Sequence, residues 1–240
     1  MKTDFNFDLN IDVDIDIDLS TEKRYKIIKP KNTRLKKVNY KNAITFANEI
    51  IIEKNSRYFC FIDGSFIMGD FIEAYLTTHK KRAKITLSTL SLSLENVDSF
   101  ENLIKSEYIA ELNIIVSDYF YSHEKNNIIR YMYEVLDIKD NFQLAVCRTH
   151  TKITLIEFED KKVVISGSAN LRSSDNLEQI SIEENNELFN FNNIVHQDII
   201  KEYKTINKSI KTKKLWQVVA KNMQHTTEQE QDKQGLVGEF

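Results

Sequence analysis

The sequence predicts an α/β fold, a mixed sheet flanked by helices on both faces with a β-hairpin late in the chain. Three observations predict it. From residue 58 onward, short apolar runs alternate with segments of helical periodicity, the order that builds a sheet covered by helices. The 240 residues are 41% hydrophobic and 10% aromatic, enough for one sizeable core. Two apolar runs, 142–156 and 162–166, flank the acidic turn Glu159-Asp160-Lys161-Lys162, as the arms of a hairpin would.

Before the domain lie two segments of opposite charge. Residues 1–20 form an acidic tail in which apolar residues alternate with Asp4, Asp8, Asp12, Asp14, Asp16 and Asp18. Period two gathers carboxylates on one face of an extended chain. That suits a solvated tail or a charged edge strand that resists aggregation, before the further reading of an acidic arm over a basic groove. A calcium strip would need a Gly to bend the chelating loop, and the segment has none. Residues 21–55 are a basic lead-in with Lys29, Lys31, Arg34, Lys36 and Lys37 among its cations and Tyr25 and Tyr40 between them. They fit contact with a phosphate backbone, and they also fit a solvated linker.

The domain is expected over 56–216. Residues 58–62 read as a strand, 63–65 as a turn and 68–76 as the opening of a helix. Strand 84–92 follows, then helix 98–106, whose Phe100, Leu103 and Ile104 share a face. The apolar run 111–120 reads as a buried strand, His123 as a loop or cap, and 126–136 as a helix. After the hairpin strands come strand 179–183 and a long amphipathic helix over 187–206, expected to be broken. Residues 217–240, rich in Gln, Glu and Thr, have the composition of a disordered tail. Net charge is only −3, so the whole-chain value predicts no polyanion partner by itself. Cys60 and Cys147 lie in apolar runs and read as buried, reduced thiols of a cytoplasmic protein. With no apolar run of about 18 residues and an acidic start, neither a membrane span nor a secretory leader is expected.

The chemistry lies around the hairpin. His150-Thr-Lys152 is followed by Asp160 and, after six residues, by Gly167-Ser168-Ala169-Asn170. Two other His-x-Lys triplets occur, at His79 and His123. The first reads as a charge complementing a helix C-terminus, and neither is followed by Gly-Ser-x-Asn. The full set at His150 resembles the half-motif of the phospholipase D superfamily, usually called HKD. Most members have four residues between Lys and Asp; here seven separate Lys152 from Asp160, and Glu157 stands at the usual distance. The fuller pattern, with Asp63-Gly-Ser and Gly69-Asp70-Phe-Ile-Glu73, resembles an uncharacterised bacterial and phage group of that superfamily.

The resemblance implies a site and a reaction. His150 would attack phosphorus and form a phospho-histidine. In a strand, Lys152 would share its face and hold a phosphoryl oxygen. Asn170, with Ser168 two residues before it, would donate to the same oxygens. Glu178 would accept from the second imidazole nitrogen and fix its tautomer. Gly167 would permit close approach, and Asp160 (or Glu157) would be mainly a turn residue. No metal and no cofactor are implied. A single half-motif implies a homodimer whose dyad pairs two copies, with one imidazole neutral and the other protonated. The expected activity is that of a metal-independent nuclease acting on DNA rather than RNA, with basic residues tracking phosphates and aromatics such as Trp216 open to stacking. The alternative is a catalytically inactive member that binds nucleic acid or serves in assembly.

Overall fold

The computed structural model describes residues 34–40, 43–54, 56–63, 66–124, 127–138, 140–172 and 176–204. The acidic tail, Lys29, Lys31, Trp216 and the C-terminal tail lie outside them. One eight-stranded mixed sheet, in the order β1-β2-β8-β7-β6-β3-β4-β5, organises the rest. Its strands are β1 (Arg34–Tyr40), β2 (Ser56–Ile62), β3 (Ala83–Thr89), β4 (Ile109–Ser117), β5 (Phe142–Cys147), β6 (Ile153–Glu157), β7 (Lys162–Gly167) and β8 (Glu178–Glu184). The helices are α1 (Ala43–Glu49), α2 (Met68–His79), α3 (Leu94–Lys105), α4 (Asp118–Glu124), α5 (Ile128–Val135) and α6 (Asn186–Tyr203). The pairs β1–β2, β3–β4 and β4–β5 are parallel and the other four are antiparallel.

Side-chain alternation divides the sheet into two buried faces. Ile85, Leu87, Ile114, Val116, Ile156, Val163, Ile165, Ile180 and Ile182 join the main core with Phe71, Ile72 and Leu76 of α2 and Val97, Phe100 and Leu103 of α3. The opposite face meets α6: Ile200 packs on Ile115 and Ala145, and Phe189 on Leu155 and Val164. The expected helix–sheet–helix layering is therefore present. Local signals set the helix starts. Asn185 caps α6 by accepting from Glu187 N (3.1 Å) and Leu188 N (3.0 Å), and Ser93 and Asn96 form a reciprocal cap on α3.

Four elements differ from the sequence expectation. Residues 34–49 belong to the fold as β1 and α1, so the domain begins before 56. The run Arg-Leu-Lys-Lys-Val-Asn-Tyr carries the lysines common on edge strands, which look like linker charge from sequence alone. The run 111–120 stops at Ser117, whose Oγ accepts from Phe120 N at 3.0 Å and starts α4, so His123 stands in the last turn of a helix, beside its C-terminal end, and not in a loop. α6 is unbroken over 18 residues. Asn190, Asn192 and Asn193 lower its intrinsic propensity, but packing on the sheet outweighs that.

The fourth difference bears on the site. The run 142–156 is two strands. β5 lies at the sheet edge, and β6 lies beyond β4 and β3. The link must cross three strand spacings, about 14 Å, and five extended residues reach about 17 Å. Residues 148–152 therefore run over the carboxyl ends of β4 and β3 and do not extend either strand.

Candidate active site

The strand directions bring the His-x-Lys and Gly-Ser-x-Asn segments to one end of the sheet. There β2, β3, β4, β5 and β7 finish, and β6 and β8 begin. Clefts beyond the carboxyl ends of strands are where open α/β sheets bind ligands. At this end Gly167 N donates to the Lys152 carbonyl at 3.3 Å, joining the His-x-Lys segment to Gly-Ser-x-Asn across the open end of the β6–β7 hairpin. The hairpin's closed end holds Asp160, paired with Lys81 at 2.6 Å, and Glu157, paired with Lys162 at 3.2 Å. The length of β6, five residues or about 17 Å, puts both carboxylates at the opposite end of the hairpin from the motif residues. The long Lys-to-Asp spacer is thus hairpin length.

β8 completes the arrangement. Ser168 N donates to Gln179 O at 2.9 Å, and Gln179 N donates to Ser168 Oγ at 3.0 Å. The Ser168 hydroxyl donates to Glu178 Oε2. Gly167 does permit a close approach, though to β8. A Cβ there would stand 2.1 Å from Gln179 O and 2.8 Å from Ile180 Cα. Past Gly167 the chain leaves the ladder, so Ser168 and Asn170 do not share a strand face.

Asn170 and Glu178 line one cleft together with Arg172. Lys152 lines the adjoining one with Ser88, Thr89 and Gly167, and Met68 and Ala169 border both. The Asn170 side-chain oxygen is buried and has no hydrogen-bond partner among the described residues. Such an orphan costs about 1–3 kcal/mol, and functional sites are where that cost is tolerated. Met68 opens α2, so the positive end of a helix dipole borders both clefts.

His150 stands apart from these. It is exposed, in a separate hollow shared with Ser117, Asp118, Tyr119 and Arg148. The Lys152 ammonium donates to the His150 carbonyl at 3.2 Å. The same-face expectation fails because 148–152 is a crossing segment rather than a strand, so period two does not apply.

Sequence reasoning missed several groups here. Arg172 is a cation two residues past Asn170, a signal available from position alone. Ser88 and Thr89 end β3 beneath the motif and are 3% and 2% exposed. His196, 3% exposed on α6, bonds Asn192 O through Nδ1 (2.7 Å) and Ser88 Oγ through Nε2 (3.2 Å). Burial holds its imidazole below the ordinary value of 6.5. Its only sequence signal is a lone His on the apolar stripe of a helix. Burial also raises the thiols, Cys60 to about 12 and Cys147 to about 11, which leaves little thiolate for chemistry near neutral pH. Arg34, Lys36 and Lys37 lie on β1, at the far edge of the sheet from β5. No helix among the described residues is long and apolar enough to cross a membrane.

No protein-family model matches the chain, and no curated protein does. Solved structures similar to it include a phosphatidylserine synthase of Haemophilus influenzae, with TM-score 0.45 and 13% identity over 72% of this chain and 46% of that one. A polyphosphate kinase of Porphyromonas gingivalis gives 0.38 and 14% over 66% of this chain and 24% of that one. TrmBL2, an archaeal chromatin protein described as binding DNA, gives 0.38 and 11% over 56% of this chain and 49% of that one. The chain spans about half or less of the length of each.

Proposed function

We propose that this chain is a metal-independent phosphodiesterase of the phospholipase D type, a nuclease acting on DNA in preference to RNA, with one active site formed by two copies. The observation that carries this reading is the open end of the β6–β7 hairpin. The bond from Gly167 N to the Lys152 carbonyl, 3.3 Å long, ties the two halves of the motif together, and β8 brings Glu178 against Ser168. Neither of the other His-x-Lys triplets is followed by Gly-Ser-x-Asn.

In this mechanism a neutral His150 attacks phosphorus. A P–N bond forms as the bond from phosphorus to the leaving oxygen breaks, and the mate of His150 across the dyad gives that oxygen its proton. Lys152 and the Asn170 amide hold the phosphoryl oxygens, with the Arg172 guanidinium at the same cleft adding positive charge. The mate then takes a proton from water, the water oxygen attacks phosphorus, and the P–N bond breaks to restore His150. The exposure of His150 supports the two-copy arrangement, since a residue near a twofold axis must be free to meet its own counterpart. Because this mechanism needs one imidazole neutral and the other protonated, it gives a bell-shaped pH profile.

One observation favours the alternative of an inactive nucleic-acid-binding or assembly protein: within a single chain His150 and Lys152 border different hollows. Labelled single- and double-stranded DNA and RNA in EDTA, with wild type beside His150→Ala, separates the two. Cleavage by wild type alone supports the nuclease. Binding without cleavage by a folded dimer supports the alternative.

A further inference from the structure

The hydroxyls at the end of β3 serve no step of this mechanism, yet they touch both halves of the motif. Thr151, the residue between His150 and Lys152, donates from Oγ1 to Ser88 Oγ at 2.9 Å. Leu171, just past Asn170, donates its backbone N–H to Thr89 Oγ1 at 3.4 Å. Two consecutive residues of one buried strand thus hold the two segments that carry the chemistry.

The protons on the first of these connections can be assigned. A backbone carbonyl only accepts, so His196 Nδ1 carries the hydrogen that bonds Asn192 O at 2.7 Å. In the neutral ring Nε2 then accepts, and the Ser88 hydroxyl 3.2 Å away donates to it. With its own hydrogen committed, Ser88 Oγ accepts from Thr151. Thr151 Oγ1 in turn accepts from the Thr149 hydroxyl at 2.8 Å. Thr149 to Thr151 to Ser88 to His196 to Asn192 is one uninterrupted direction of donation, from the exposed crossing segment into α6. A protonated His196 would donate from both nitrogens, so the hydroxyl donations would have to reverse and run outward from Ser88 to Thr151 to Thr149. The burial that depresses the imidazole pKa keeps the neutral form in place.

We propose that Ser88 and Thr89 are positioning residues that hold the His150–Lys152 crossing and the Asn170 segment in fixed relation, with His196 as the buried anchor of the first connection. The proposal rests on the nuclease reading for its effect on rate, though its effect on the order of the crossing segment does not. Thr89 Oγ1 also donates to Ser91 O at 2.9 Å, so its lone pairs are free to receive the Leu171 N–H.

Thr151 is exposed, so changing it tests the connection without opening the core. Thr151→Val keeps the side-chain shape and removes the hydroxyl, and Thr151→Ser keeps the hydroxyl. In the full chain, backbone amide relaxation of residues 149–152 is expected to show raised mobility in the Val variant and wild-type order in the Ser variant. On a DNA substrate kcat is expected to fall about 10- to 100-fold in the Val variant with KM nearly unchanged, and to return with Ser, the size of effect that supporting and positioning groups have. Unchanged order in the Val variant, or failure of Ser to restore it, overturns the proposal. Absence of cleavage by wild type defeats the nuclease reading alone, because the relaxation comparison still decides the role of Ser88.

Discussion

Gly167→Ala is a sharp test of how the motif is held. The added Cβ would stand 2.1 Å from Gln179 O, where ordinary contact begins at 3.4 Å, so β7 and β8 must part by about 1.3 Å, far beyond hydrogen-bond tolerance. Two bonds cross at that point, Ser168 N to Gln179 O at 2.9 Å and Gln179 N to Ser168 Oγ at 3.0 Å. Losing both costs about 1 kcal/mol each, and forcing an atom into a packed position adds about 1–3 kcal/mol. A total of about 3–5 kcal/mol corresponds to a fall in melting temperature of roughly 6–20 °C for a chain of this size. Thermal unfolding followed by circular dichroism measures it. A shift below about 2 °C would refute the claim that Gly167 is required by the approach of the β8 backbone. Because the displaced pair carries Ser168 and Glu178, the account also predicts that any folded fraction of the variant loses activity.

Other outcomes follow from the same geometry. His150→Ala is expected to abolish cleavage while leaving the melting temperature within about 2 °C, since the side chain is exposed; a large loss of stability would assign it a structural role. Asp160→Asn should leave both activity and stability nearly unchanged. Its pair with Lys81 is exposed at the closed end of the hairpin and is worth less than about 1 kcal/mol, and a severe loss of rate would make Asp160 part of the site after all. His196, held below its ordinary 6.5 by burial, makes stability depend on pH with a definite sign. As pH falls through about 6.5 the unfolded chain takes up the proton first, so stability is constant above that value and declines below it until the folded imidazole also protonates. Urea midpoints between pH 7.5 and 5.5 should show the decline in wild type and a weaker one in His196→Gln; equal slopes would contradict it.

The sequence made the hairpin and the motif residues legible because both are local. Alternating apolar residues about an acidic turn define β6 and β7, and the spacing of Gly167, Ser168 and Asn170 is fixed along the chain. It could not reveal the break at 148–152, because that depends on β5 lying at the edge while β6 lies inside, a matter of strand order. For the same reason the expectation that His150 and Lys152 share a face rested on a strand that is not there. The lysines of β1 resembled a linker because edge strands and linkers both favour charge. The contact of His196 with Ser88 joins residues 108 positions apart, and no local pattern announces it. Arg172 was within reach of sequence reasoning, being a cation beside the motif.

The central claim is that His150 is the nucleophile. The most direct measurement is rapid quenching of the wild-type protein with excess DNA in EDTA under alkaline denaturing conditions, followed by mass analysis of the peptide containing His150. The account predicts a nucleotide or phosphoryl adduct on His150 that forms during turnover and is absent from His150→Ala. Cleavage that proceeds with no adduct, or with one on another residue, would contradict it.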